Sequence, residues 1–151
     1  MDLRSRPYST FLALGIGAFA AANVGSEVLA RVWIGRTPLD QAVSETLYYL
    51  VTQPLGAAML LAPFLLLAWM AASLARKRTF ERGLLLFGTS VVVLAALYFA
   101  GHVGSEQAMQ NRRWTAAALS VGLLPFQSIP LLVIALVGRL LLGKERRENT
   151  G

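Results

Sequence analysis

Four long apolar runs, Phe11 to Ala22, Leu55 to Ala72, Leu84 to Ala100 and Ala116 to Leu142, are almost free of charge and are separated by short polar segments. A helix needs about 20 mostly apolar residues to cross a hydrocarbon core. Extending each run to its polar boundary predicts membrane-crossing helices near 9–30, 46–75, 83–106 and 114–142. Little chain is left between them. The pattern therefore predicts an all-α polytopic membrane protein: one domain over 1–151, four transmembrane helices and no room for a soluble unit.

The polar positions repeat. Val24-Gly25-Ser26-Glu27 recurs as Val103-Gly104-Ser105-Glu106, each at the far end of an apolar run that starts just after an arginine, Arg6 or Arg82. A four-residue identity can arise by chance, and its matched place in each half is what adds weight. Ala62-Pro63-Phe64-Leu65-Leu66-Leu67 and Ile129-Pro130-Leu131-Leu132-Val133-Ile134 then both lead to a basic segment. Two directly repeated hairpins, 1–78 and 79–151, related by an axis along the membrane normal, are the organisation this suggests.

Local signals refine the helices. Arg36-Thr37-Pro38-Leu39-Asp40 reads as a helix start, with Thr37 as cap, Pro38 in the first position and Asp40 reaching back as in a capping box, so the second helix begins before the membrane. Pro54 and Pro63 in span two, and Pro125 and Pro130 in span four, remove backbone donors and predict kinks. Gln127 and Ser128 lie between the last two and are expected to face protein or a cavity. In span one, Gly15, Gly17, Ala18, Ala20, Ala21 and Ala22 offer a smooth surface for close helix approach. Trp33, Tyr48, Tyr49 and Trp114 are expected at one membrane interface and Trp69 at the other.

Composition agrees: 56% of residues are hydrophobic and 15% charged, far from the balance of soluble domains. A net charge of +6 would suggest nucleic acid in a soluble chain. Its distribution argues otherwise. Arg4, Arg6, the cluster Arg76, Lys77, Arg78 and Arg82, and the tail residues Arg139, Lys144, Arg146 and Arg147 fall on one side of the predicted membrane. On the other, Arg31, Arg36, Arg112 and Arg113 are balanced by Glu27, Asp40, Glu45 and Glu106. Retention of Lys and Arg on the cytoplasmic side predicts both termini inside a cell inner membrane, the basic side meeting anionic lipid. Membrane lipids are the expected partners and nucleic acid is not. Arg4 and Arg6 followed by Ala18-Phe19-Ala20 also resemble a secretory signal, but the motif shared with an internal helix argues against cleavage. The tail from Lys144 onward is expected to fray.

The chain has no Cys and one His, which removes disulfides, thiolate chemistry and bis-histidine haem, so no metal or cofactor is expected. Positions three and four apart share a helical face. That places Asn23, Ser26 and Glu27 on one stripe and His102, Ser105 and Glu106 on another. Helix two arrives at the same depth with Glu45, Tyr48, Tyr49, Thr52 and Gln53, and helix four with Thr115 and Ser120. The expected binding set is Asn23, Ser26, Glu27, Glu45, Gln53, His102, Ser105 and Glu106.

Such a set suits a proton or cation, or a cationic or hydrogen-bonding lipid group. In the competing reading the carboxylates merely end their helices in interfacial water, or pair structurally with Arg31 or Arg112. His102, Ser105 and Glu106 include hydrolytic residue types, yet their spacing lays them on one strip, and a triad is recognised by contacts, so no catalytic residue is expected. Two functions follow. The first is a non-enzymatic accessory or assembly subunit that packs its small-residue faces against partners, as a homo-oligomer or in a larger membrane complex. The alternative is a small proton, cation or solute transporter using Glu27 and Glu106, for which a cavity must reach both carboxylates.

Overall fold

The computed structural model describes residues 6–144, and all regular structure there is helical. Helix α1 (Pro7–Phe19) passes through one π-helical turn, Ala20–Val24, into α2 (Gly25–Trp33). Then follow α3 (Leu39–Thr52), α4 (Pro54–Lys77), α5 (Phe80–Gln110), α6 (Trp114–Gly122), α7 (Leu124–Gln127) and α8 (Ile129–Gly143). Four stretches are long and apolar enough to cross a membrane: Pro7–Trp33, Pro54–Lys77, Phe80–Gln110 and Leu124–Gly143. The all-α, four-span architecture is the one the hydropathy pattern predicts.

Its breaks differ from expectation in instructive ways. Pro54 does not kink a continuous second span. It occupies the first turn of α4, where its missing N–H leaves no hydrogen bond unmade, and Gln53 alone separates α4 from α3. Span four is divided again, at Leu123 and Ser128, with Pro125 and Pro130 each in the opening turn of a new helix. Only Leu124–Gly143 of that region has the length and hydropathy to cross. The capping box is absent: Pro38 itself is the residue preceding α3, and no side chain caps the helix there. Ser128 is buried and donates to the Pro125 carbonyl as expected, whereas Gln127 is exposed.

Direction is fixed by contacts at both ends. Phe11 meets Phe80 near the start of α5, and Asn23 meets His102 toward its end, so the first span runs parallel to α5 with α4 antiparallel to both. An aromatic column ties them together. Phe11 packs edge-on against Phe87 at 5.7 Å, Phe19 against Phe64 at 5.7 Å, and Phe64 against Tyr98 at 5.2 Å. These T-shaped pairs add specificity to apolar contact, which in lipid cannot rely on the hydrophobic effect. Gly83 allows α5 to approach the α4 backbone closely. A Cβ there would lie 2.7 Å from the Ala71 carbonyl oxygen and 2.8 Å from Ala75 Cβ.

At the basic end, Arg78 donates through Nε (2.9 Å) and Nη2 (2.6 Å) to the Gly143 carbonyl, and Arg82 donates through Nη1 to Leu142 at 2.8 Å. Both satisfy carbonyls that the end of α8 leaves without intrahelical donors. Arg4 and the tail from Glu145, with the fraying expected of it, lie outside the described residues.

Candidate functional site

The opposite end of the bundle holds a cavity of about 570 Å³. Each wall is a helical stripe. From the first span come Asn23, Glu27, Ala30 and Arg31; from α3 and its end Thr46, Tyr49, Leu50 and Gln53. Helix α5 contributes His102, Ser105, Glu106 and Met109, and α6 contributes Trp114, Ala117, Ala118 and Val121. Spacings of three, four and seven within each set are those of one helix face. The cavity thus lies among the first span, α3, α5 and α6, with Leu60 of α4 at its lining, whose carbonyl accepts from Tyr98 Oη at 2.7 Å.

Six of the predicted residues line this space: Asn23, Glu27, Gln53, His102, Ser105 and Glu106. Two do not. Ser26 is buried beside the cavity and outside its wall, because across the widened π turn the position four residues on from Asn23 stays in line and the position three residues on does not. Glu45 also lies outside the wall, but acts on it through Arg31.

Arg31 organises the charges. Its Nε and Nη2 donate to Glu27 Oε1 at 3.1 and 2.8 Å, while Nη1 donates to Glu45 Oε2 at 2.6 Å. The guanidinium also lies 5.6 Å from the centre of the Tyr49 ring. One cation therefore bridges two carboxylates and pins α3 to α2. Gln41 Nε2 donates to the other Glu45 oxygen at 2.8 Å. Of the two arginines named as alternative structural partners, Arg31 pairs, and Arg112 forms no ion pair with a described residue.

Glu106 is different. It is 9% exposed, lines the cavity, and makes no hydrogen bond or ion pair with any described residue. It lies four residues inside the end of α5, about 6 Å along the axis, and Glu27 lies six residues inside the end of α2, about 9 Å. Neither carboxylate simply terminates its helix. The turn after α2 folds over Glu106. A Cβ on Gly35 would stand 3.0 Å from its Oε2 and 2.6 Å from the Arg31 carbonyl, which leaves room only for glycine. The Gln110 amide donates to the Ile34 carbonyl and fastens that turn to α5.

Two more polar groups face the same space. His102 Nε2 and Asn23 Oδ1 lie 3.1 Å apart and form a hydrogen bond, with Nε2 donating in the tautomer that protonates it. His102 thus engages an amide, not the Ser105 hydroxyl three residues away. Thr46 is 2% exposed and its Oγ1 has no partner among the described residues.

The sequence reading missed Thr46, and Trp114 was expected only as an interfacial anchor. The signal for both was available: Thr46, Tyr49 and Gln53 form one stripe, and Trp114, Ala117 and Val121 another. Thr115 and Ser120, read as the polar groups of helix four, do not line the cavity; Ser120 Oγ donates to the Ala116 carbonyl. Among the described residues, no group of three or more His, Cys, Asp or Glu side chains is placed to hold a metal ion.

Comparison with protein-family models, with curated proteins and with solved structures gives no match for this chain.

Proposed function

We propose that this chain is a multi-pass membrane protein that binds an organic cation with an apolar body in the cavity beside Glu106, as the recognition site of a small transporter. The carboxylate of Glu106, which lines the cavity from a largely buried residue and pairs with no described residue, is the observation that carries the reading. A largely desolvated charge normally has a partner, and among the described residues none pairs with Glu106. Glu27, Glu45 and Glu106 face the single cation Arg31, so the ionised site favours positive charge.

Size and lining select the kind of cation. A volume near 570 Å³ falls within the range of small-molecule sites and is far larger than a bare ion requires. Much of the wall is apolar, and the Tyr49 and Trp114 rings suit an alkylated ammonium or similar charge. Thr46 Oγ1 and the His102–Asn23 pair are available to orient a polar substituent.

The test pairs binding with flux. Purified protein should bind tetraphenylphosphonium or a tetraalkylammonium ion, and Glu106→Gln should lose that binding while keeping its helical content. Liposomes carrying the natural protein should take up the same cation faster than liposomes carrying Glu106→Gln or Glu27→Gln. Equal binding by natural and Glu106→Gln protein removes the recognition site. Binding without flux removes transport and leaves a cation-responsive subunit.

A second reading, the accessory subunit or homo-oligomer, keeps one specific support. Gly15 and Ala22 are buried inside the chain, but Gly17, Ala20 and Ala21 share an exposed face at spacings of three and four. Such a face permits close approach of another helix in lipid. Cross-linking of cysteines introduced at Gly17 and Ala21 in liposomes checks it; no dimer from either position removes it. In this reading, as in the first, the basic end faces the cytoplasm of a cell inner membrane.

A further inference from the structure

At the basic end, remote from the cavity beside Glu106, a second cleft of about 860 Å³ opens between the C-terminal ends of α4 and α8. Lys77, Arg78, Arg139 and Lys144 line it, and among the described residues no acidic side chain does. Its remaining surface is mostly apolar, with Leu74 buried and Val137, Leu140 and Leu141 exposed along the α8 side.

Two helix C-termini would ordinarily repel an anion, since their free carbonyls carry partial negative charge. Here the end of α8 is already occupied by cations, Arg78 on the Gly143 carbonyl and Arg82 on the Leu142 carbonyl. Lys77, Arg139 and Lys144 are left facing the cleft in excess of any described counter-charge. Arg139 is held in place from behind, its guanidinium 5.0 Å from the centre of the Trp69 ring, which leaves its donors directed by a fixed plane. Trp69 belongs at this end as an interfacial ring.

We propose that this cleft binds an acidic glycerophospholipid: the phosphate sits among Lys77, Arg139 and Lys144, and an acyl chain runs down α8 over Val137, Leu140 and Leu141. The two halves of the site demand an amphiphile. A free phosphate satisfies the cations but leaves the apolar groove uncovered, whereas a zwitterionic lipid covers the groove but brings its own cation against three others. Clefts of this kind between transmembrane helices suit anionic headgroups.

The experiment compares lipids retained by purified protein in native mass spectrometry, using phosphatidylglycerol and phosphatidylcholine of identical chains. The natural protein should retain phosphatidylglycerol preferentially. Lys77→Gln with Arg139→Gln should reduce that preference by roughly fivefold for each cation removed. A charge-matched control, Arg36→Gln with Arg113→Gln at the opposite end, should keep it. Equal retention of the two lipids, or equal loss in both double variants, overturns the site. Displacement of the bound lipid by millimolar inorganic phosphate assigns the cleft to a free anion and overturns the lipid.

Discussion

Asn23 and His102 each stand immediately before a copy of Val-Gly-Ser-Glu, and they hydrogen-bond to each other at 3.1 Å across the bundle. Their separation of 79 positions is also the offset between the two copies, so equivalent points in the sequence meet in space. Glu27 and Glu106, one turn further on, then line one cavity.

That contact should be measurable as a coupling. Asn23→Ala, His102→Ala and the double variant, compared by unfolding in detergent, are expected to give an interaction energy of about 0.6 kcal/mol, with about 1.7 as the upper end for such bonds between membrane helices. Strict additivity means the bond contributes nothing.

Thr46 offers a different kind of test, because a buried hydroxyl without a partner is destabilising in the free protein. Thr46→Val preserves shape and removes the desolvated group, so thermal unfolding should move upward, by about 1 kcal/mol. If the hydroxyl contacts the bound cation, the same variant should bind it less tightly. Stability gained and affinity lost together is the expected signature.

The Arg31 bridge should be worth more than a surface ion pair, since Arg31 has a side-chain exposure of only 15% and Glu27 of 20%. Arg31→Gln leaves Glu27 and Glu45 without their cation beside Glu106. A loss of about 3 kcal/mol, of the size seen when one partner of a buried pair is removed, is expected in unfolding. Glu45→Gln, at the more exposed end, should cost less than 1 kcal/mol, on the order of a surface pair.

Gly83→Ala tests the close contact of α5 with the α4 backbone. The Ala71 carbonyl at 2.7 Å belongs to backbone and cannot swing aside as a long side chain would. Separation of α4 from α5 should destabilise the bundle by about 1–3 kcal/mol. Gly88→Ala, with nothing within 4 Å, serves as the neutral control.

Much of this architecture was legible in hydropathy, because lipid imposes a length and a polarity on each crossing helix that few other constraints blur. The site was legible in part for a related reason. His102, Ser105 and Glu106 lie on an uninterrupted α-helix, so their sequence spacing translates directly into a shared face. Ser26 fails the same rule because five residues from Ala20 form a π turn, and nothing in Ala-Ala-Ala-Asn-Val announces one. Thr46 was hidden by a tertiary fact: α3 reaches the cavity after the helix breaks at Gln53, with Arg31 tying Glu45 to α2. A sequence shows which face of a helix is polar, but the angle at which a short helix folds back is set by such long-range contacts.

Gln53 ends α3 and begins α4 with a single set of backbone torsions, φ −120° and ψ 62°, and its side chain lines the cavity. Helix α3 is therefore joined to α4 through one residue and latched to α2 by the Arg31–Glu45 ion pair. A latch made of charges weakens in salt while a torsional hinge does not. Exchange of a ligand in and out of the cavity is accordingly expected to quicken as ionic strength rises, even where the affinity for the ligand's apolar body is unchanged.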